Sequence, residues 1–178
     1  MAAKKPRRVA PGPAGFNRKG AILVADLCGF TKTMLAKGPR ATLRRIDSMR
    51  KTVIPVLNGH DAEVYKIEAD NLYAFFESAE NAVEGAIASH RALRRLGPNG
   101  PKISIGIGFG TLLYIPAEDE YYGAELNLAS KLGEDIGAGG DVLATQDVVD
   151  QIVRAKFALK RRRATVSGLQ FTYYRIKN

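Results

Sequence analysis

Residues 21–31 read AILVADLCGFT, and this stretch decides the fold. Its first five residues are apolar and too few for a helix, which predicts a buried central strand that ends on the carboxylate of Asp26. Gly29-Phe30-Thr31 then begins a helix, and the free backbone N–H groups at a helix start are suited to receive phosphate groups. A strand, an acid at its tip and a helix start therefore follow one another within one short segment.

The residues after this segment alternate between helical and extended patterns. Apolar side chains recur at three- and four-residue steps from Pro39 to Leu57, and Ser78 is a typical N-cap for a second helix. Residues 62–76 alternate and predict a hairpin with its turn at 68–71. The expected inward face of the first helix comprises Leu43, Ile46, Met49, Val53 and Leu57.

The second half of the chain continues this mixture. It predicts a glycine-rich strand over 102–110, a segment 111–115 that pairs back on it, a helix over 123–132, and strands over 142–145 and 171–176. The glycines at 106, 108 and 110 are expected to let a dimer partner or a ligand approach closely. Strands interleaved with helices and joined by hairpins indicate an α/β (α+β) sandwich, with helices packed on a mixed, largely antiparallel sheet.

The positive charge is concentrated at the two ends of the chain. Of the 178 residues, 1–20 carry six Lys and Arg and 154–178 carry eight, with no acid in either stretch, whereas residues 21–153 are net −5. Residues 1–19 lack periodicity, so we predict a disordered basic arm followed by one domain over 20–178. Basic ends are typical of solvated tails and edge strands, and contact with nucleic acid or an acidic membrane is the alternative.

The cysteine content and hydropathy indicate the compartment. With Cys28 as the one thiol, no internal disulfide can form, which favours a reducing, cytoplasmic location. The longest aliphatic run, 21–25, is far shorter than a membrane span, so we expect no transmembrane segment. Cys28 and His90 are both expected to be packing residues.

Two aspartates stand out as candidate metal ligands. Asp26 ends the predicted strand and Asp70 lies in the predicted hairpin turn, where a carboxylate stays ionised yet is held in place. If the strand and the hairpin are neighbours in the sheet, both side chains point into one site. Such a pair suits Mg²⁺ or Mn²⁺ carried with substrate phosphates.

Three blocks resemble the catalytic domain of class III adenylyl and guanylyl cyclases, from about Gly20 to the C-terminus. DLCGFT at 26–31 is similar to the D-x-x-G-F-T block of that family, and KIEAD at 66–70 is similar to K-x-x-G-D. YGAELNLASKL at 122–132 is similar to G-x-x-V-N-x-A-S-R. The resemblance implies a ferredoxin-like core and a head-to-tail homodimer with its active sites at the interface.

The resemblance also implies a role for each matched residue. One subunit supplies Asp26, Asp70 and the Leu27 carbonyl for two Mg²⁺ or Mn²⁺ ions, and Gly29, Phe30 and Thr31 face the substrate. The other subunit supplies substrate-binding and catalytic residues, which are Lys66, Glu120, Asn127 and Lys131. The implied reaction converts a nucleoside triphosphate to a 3′,5′-cyclic nucleotide and pyrophosphate.

The residues expected to read the base favour ATP. The Lys66 ammonium is suited to donate to a ring nitrogen of adenine, and Glu120 to accept from its 6-amino group. We therefore expect an adenylyl cyclase that makes cyclic AMP. Cyclases that make cGMP, cCMP or cUMP share the fold and remain alternatives.

Several positions depart from the family pattern. Ala69 stands in place of a glycine, and Lys131 in place of an arginine that would stabilise charge on the α-phosphate. Ser167 lies where a lysine would grip the terminal phosphates, with Arg161, Arg162 or Arg163 as candidate substitutes. These departures motivate a second interpretation, a weakly catalytic homologue that binds nucleotide as a regulatory module.

Overall fold

A computed structural model describes residues 14–166 and 168–177 of the chain. Within these residues the strands form one eight-stranded sheet in the order β2-β3-β1-β4-β6-β8-β7, with β5 paired to β4. The β4–β6 pair is parallel and the other pairs are antiparallel, which confirms the predicted mixed sheet. The strands are β1 Phe16–Leu27, β2 Glu63–Glu68, β3 Asn71–Phe76, β4 Ile103–Ile115, β5 Glu120–Tyr122, β6 Val142–Thr145, β7 Ala158–Val166 and β8 Leu169–Lys177.

The helices lie on both faces of this sheet. They are α1 Phe30–Asn58, α2 Ala79–Arg95, α3 Ala124–Ser130, continued by a π-helical turn over Lys131–Ile136, and α4 Gln146–Gln151, with a 3₁₀ turn over Arg154–Lys156. The larger core packs α1, α2 and α4 against one face of the sheet. A smaller core on the other face includes Tyr121, Phe75 and Ala129 of α3. As the sequence predicts, Ser78 caps α2, with its Oγ accepting from the Asn81 N–H at 3.3 Å.

The central position of β1 brings the two predicted acidic segments to one edge of the sheet. β1 pairs with β3 on one side and β4 on the other, and Asp26 lies directly opposite Asn71. The β2–β3 turn comprises Ala69 and Asp70, inside the predicted range 68–71. The sheet-neighbour condition for a shared Asp26 and Asp70 site is therefore met.

The N-terminal boundary of the domain differs from the predicted one. We expected the arm to reach residue 19, but β1 begins at Phe16, and its first residues pair with Thr111–Tyr114 of β4. The Phe16 ring packs edge-on against Tyr114 at 5.6 Å, and the Arg18 guanidinium lies 4.1 Å from the centre of the Phe75 ring. Cross-strand aromatic contacts thus order a basic segment. Residues 1–13 of the predicted arm lie outside the described residues.

The predicted β4 hairpin is also wrong. Residues 111–115 do not pair back on 102–110, because β4 runs straight through Ile115 and pairs with β1 along its length. The strand that pairs back is β5, with Leu113 opposite Tyr122. β7 was not predicted either, and it forms the basic edge of the sheet with Lys160–Arg163.

Helix α1 is longer than predicted and kinked. It begins at Phe30, and Gly38 interrupts it with a left-handed φ of 74° just before Pro39. Beyond the kink the buried positions are Thr42, Ile46, Met49, Val53 and Leu57. Leu43, which we placed on the inward face, is 62% exposed because the helical phase after the kink puts Thr42 inward instead.

The glycines of β4 serve a different contact from the predicted one. A Cβ atom on Gly106 would lie 2.0 Å from the Ala129 carbonyl oxygen, and one on Gly108 would lie 2.4 Å from that of Glu125. The missing side chains let the backbone of α3 lie directly on the strand. These two glycines therefore accommodate α3, and not a dimer partner or a ligand.

Candidate active site

Asp26 and Asp70 form an acidic edge at the end of β1. Burial, together with the charges of Asp70 and Glu134, raises the pKa of Asp26 to about 6. Burial also raises the pKa of Asp70. The charge of Asp70 thus acts on Asp26, which places the two carboxylates at the same edge of the sheet.

Glu134 is a third acid at this edge, and the sequence analysis did not single it out. It lies in the π-helical turn after α3, and its Oε1 accepts from Asn71 Nδ2 at 3.2 Å. Burial and the charges of Asp135, Asp70 and other acids raise its pKa. Its placement three residues beyond Lys131 was the available signal, but only the tertiary fold shows that it faces β3.

The residues at this edge fit a hard divalent cation. Within residues 14–166 and 168–177, no three His, Cys, Asp or Glu residues form a ready ligand group. Mg²⁺ is held by one or two carboxylates completed by water and substrate phosphates, so Asp26 and Asp70 are a sufficient protein contribution. The Asn71 Oδ1 atom beside them is buried without a hydrogen-bond partner in the described part of the chain. This amide oxygen therefore has lone pairs free to accept a hydrogen bond or to contact a cation.

Leu27, Gly29, Phe30 and Thr31, the other residues predicted at this edge, follow Asp26 at the end of β1 and the start of α1. The Leu27 side chain is buried, so its carbonyl oxygen is the atom it can offer. Gly29 adopts a left-handed conformation with φ 78° at the start of α1, and no side chain caps this helix start. Phe30 packs on the core, whereas Thr31 is exposed. The first-turn N–H groups of α1 have no partner within the helix, as at any helix start.

A second group of predicted residues comes together in a separate concavity. Lys66, Glu120 and Asn127 line a cavity of about 320 Å³, together with Tyr65, Tyr73, Tyr121, Tyr122, Leu126 and Ser130. The Lys66 Nζ atom lies 2.7 Å from Glu120 Oε1 and 3.2 Å from Glu68 Oε2. The hydrogen bond to Glu120 is the main cause that raises the pKa of Lys66, so the ammonium remains charged.

Lys131 lies in an adjoining cavity of about 490 Å³ that Asn127, Glu134 and Phe171 also line. Its Nζ atom is 3.9 Å from Asp135 Oδ2, a long ion pair within one helical turn. Asn127 borders both cavities. Lys66, Glu120, Asn127 and Lys131 therefore lie along two adjoining cavities, which the predicted substrate-binding residues Gly29, Phe30 and Thr31 do not line.

Solved structures of other proteins share the fold of this chain. The chain is 20% identical to the guanylyl cyclase Cya2, with a TM-score of 0.79 over 91% of this chain and 93% of that one. It is 19% identical to the adenylyl cyclase CyaB from P. aeruginosa, with a TM-score of 0.78 over 93% of this chain and 96% of that one. The chain has the class III nucleotidyl cyclase fold. The catalytic core of a rhodopsin-guanylyl cyclase with converted specificity, in complex with ATPalphaS, gives a TM-score of 0.82 at 13% identity over 92% and 98% of the two chains.

The comparison of sequences gives one relative among curated proteins. "Putative adenylate cyclase 3" of Rhizobium meliloti (strain 1021) is 25% identical over 167 residues, which are 90% of this chain and 26% of that protein. The chain therefore spans about a quarter of the length of this relative. No family model matches the sequence. No helix in the described part of the cyclase-fold chain is both long and apolar enough to cross a bilayer.

The β7–β8 hairpin separates the three candidate arginines of this cyclase-fold chain. Directly opposed residues share a face of a sheet, and Arg162 lies opposite Tyr173, whereas Arg161 lies opposite Tyr174. The Tyr174 hydroxyl donates to Gln146 of α4 at 2.6 Å, so Arg161 and Arg163 lie on the α4 side. Arg162 shares the opposite face with Phe171, which borders the Lys131 cavity. Ser167 lies outside the described residues.

The surroundings of His90 and Cys28 fit packing residues and not reactive groups. The His90 Nε2 atom lies 3.1 Å from the Asp141 carbonyl oxygen, and burial lowers the pKa of the ring. Burial, and next the charge of Asp26, raises the pKa of the Cys28 thiol. A raised pKa disfavours the thiolate form, so Cys28 is a poor nucleophile.

Proposed function

We propose that this protein is an adenylyl cyclase, which converts ATP to 3′,5′-cyclic AMP and pyrophosphate at the interface of a homodimer with two Mg²⁺ or Mn²⁺ ions. The observation that carries the proposal is the pairing of an acidic edge, Asp26 and Asp70, with a separate nucleotide-facing surface, Lys66, Asn127 and Lys131, in one chain. The printed names of the similar proteins include both adenylyl and guanylyl cyclases.

The reaction is an in-line displacement. The ribose 3′-oxygen forms a bond to the α-phosphorus, the bond to the bridging oxygen breaks, pyrophosphate leaves and the hydroxyl proton passes to solvent. When bound, the two divalent ions supply activation of the hydroxyl and neutralisation of phosphate charge. Asp26, Asp70 and the Leu27 carbonyl would hold them.

The other residues bind and orient the substrate. The helix start at Gly29-Phe30-Thr31 is placed to donate backbone N–H groups to phosphate oxygens. Asn127 is suited to orient the ribose, and the Lys131 ammonium to offset charge that develops on the α-phosphate. In a head-to-tail dimer the acidic edge of each subunit would meet the nucleotide-facing surface of its partner, so a symmetric dimer would form two equivalent sites.

The Lys66–Glu120 pair supports a preference for adenine. Each group already holds the other at 2.7 Å, so a ring acceptor and an amino donor can be added without breaking the pair. Guanine presents a ring N–H toward Lys66, where the ammonium also donates, and two donors facing each other repel.

We expect Lys66→Glu to lower the ratio of kcat/KM for ATP to that for GTP at least about tenfold, because the new carboxylate accepts from guanine and leaves adenine N1 unpaired. Initial rates with both nucleotides measure this. Lys51→Glu reverses the charge of an exposed lysine on α1 and should leave the ratio unchanged. An unaltered ratio in Lys66→Glu would remove this residue from base recognition.

We expect Arg162→Ala to raise the KM for ATP about tenfold with little change in kcat, because a charge-assisted hydrogen bond to a terminal phosphate is lost. Arg161→Ala is the matched control, since it removes an equal charge from the opposite face of the hairpin. Equal effects of the two substitutions on KM would show that only the net charge of the hairpin matters.

The direct test is a Mn²⁺-supported assay of the purified protein with ATP, GTP, CTP and UTP, with mass spectrometry of the products and Asp26→Ala alongside. We expect cyclic AMP as the main product and none from the mutant. A different cyclic nucleotide would replace the assignment of the base. No product from protein shown to be dimeric would favour the regulatory interpretation, which the Lys131–Asp135 pair and the lysine at this position support.

A further inference from the structure

The turn that carries Asp70 has a left-handed backbone at a residue that is not glycine. Ala69 has φ 49°, within the region that L-residues rarely adopt because the Cβ atom crowds the backbone. The family block has a glycine at this position, for which the conformation carries little steric strain. An additional contact is therefore needed to hold this turn in place.

Arg50 of α1 makes that contact. Its Nη2 atom donates to the Ala69 carbonyl oxygen at 2.5 Å, across 19 positions of sequence. The Nε atom of Arg50 is buried and has no acceptor in the described part of the chain. Arg50 thus acts on the geometry of the turn.

We propose that Arg50 is a positioning residue that holds Ala69 in its left-handed conformation and thereby directs the Asp70 carboxylate toward the metal site. Its hydrogen bond offsets the strain of a positive φ at alanine, which the glycine of the family block would not have. This inference rests on the proposed function, because it assigns Asp70 to metal binding.

The test is a double-mutant cycle of Arg50→Met, Ala69→Gly and the double variant. Methionine keeps the length of the side chain and removes the donors. We expect Arg50→Met to raise the Mn²⁺ concentration for half-maximal activity about tenfold, the usual scale for a group that orients a metal ligand. The KM for ATP at saturating Mn²⁺ should change less than about threefold. Ala69→Gly should change little by itself and should restore the double variant to within about threefold of the wild type.

Lys51→Met is the matched control, since it removes the neighbouring charge from the exposed side of α1. The increase in Tm on addition of Mn²⁺ gives a second readout that needs no turnover, and Arg50→Met should shift its midpoint by the same factor. Arg50→Lys, which keeps a donor and most of the stem, serves if Arg50→Met does not fold, and an intermediate midpoint is expected for it.

Failure of Ala69→Gly to restore Mn²⁺ response in the double variant would overturn the inference, as would an Arg50 variant with lower Tm and an unchanged Mn²⁺ midpoint. If the wild type makes no cyclic nucleotide but Mn²⁺ still raises its Tm, the proposed function alone is refuted. The double-mutant cycle is then compared by the Mn²⁺ concentration that gives half of the Tm increase. No Mn²⁺ response in the wild type by either readout refutes both.

Discussion

Asp26→Asn is expected to abolish cyclic nucleotide formation while it makes the metal-free protein more stable. The amide keeps the shape of the side chain but loses the charge that would bind a divalent ion, so we expect kcat to fall about a thousandfold or more. The same change removes a carboxylate that is partly buried beside Asp70 and Glu134. Stability and activity therefore move in opposite directions at this residue.

The stability gain should depend on pH with a definite sign. The pKa of Asp26 is raised from its ordinary value of 3.8 to about 6, so between these values the folded state binds more protons than the unfolded state. The wild type thus loses stability as pH rises through this window, whereas Asp26→Asn does not. With allowance for partial solvent screening, we expect the variant to gain about 1–2 kcal/mol above pH 7 and almost nothing near pH 4.

Urea unfolding in EDTA across pH 4 to 8 measures this gain. Asp47→Asn is the control, because Asp47 is an exposed aspartate of α1 paired with Lys51, and its removal should give no such pH-dependent gain. Addition of Mn²⁺ should stabilise the wild type and not Asp26→Asn. A variant that keeps turnover, or whose gain is the same at every pH, would contradict the placement of Asp26 in an acidic metal site.

The second large effect is recovery of activity on mixing two inactive variants. Asp70→Asn disables the acidic edge and Lys131→Ala disables the nucleotide-facing surface. Neither homodimer therefore has an intact site. In a mixed dimer one site receives both disabled halves and the other receives both intact halves. After subunit exchange of equal amounts, about a quarter of wild-type activity is expected, since half of the dimers are mixed and each has one working site.

The control mixes Asp26→Asn with Asp70→Asn. Both changes lie in the acidic edge, so no arrangement of these subunits yields an intact site and no recovery is expected. Native mass spectrometry establishes that exchange took place in both mixtures. Absence of recovery in the first mixture despite exchange would show that the two groups of residues act within one subunit, and recovery in the control would show that the assignment of the two acids to one half-site is wrong.

Much of the acidic edge was predictable because its signals are local. The apolar run before Asp26 and the alternation around the 69–70 turn are patterns of neighbouring residues, and such patterns predict a strand and a hairpin directly. The Ser78 cap of α2 is local in the same sense. Whether the strand and the hairpin are sheet neighbours stayed a condition at that point, and the pairing of β1 with β3 meets it.

The errors concern elements that are defined by their partners. The continuation of β4 through residues 111–115 depends on pairing with Phe16–Lys19, whose basic sequence resembles a solvated arm. β7 has exposed arginines on both faces and pairs only with β8, so it shows no alternation of apolar and polar residues. For Leu43, the kink at Gly38 set the helical phase, and the spacing of apolar residues did not reveal it.

The sequence by itself determined the central strand, the two aspartates at its edge and the three blocks that resemble a class III cyclase, because each depends on residues close together in the chain. Only the tertiary structure decided that α3 covers Gly106 and Gly108, that Glu134 joins the acidic edge through Asn71, and that Arg50 holds the Ala69 carbonyl. The hydrogen bond between Arg50 and Ala69 spans 19 positions of the sequence, and the one between Asn71 and Glu134 spans 63. Local patterns fix which backbone conformation a segment adopts, whereas contacts between distant segments depend on how the packed layers meet.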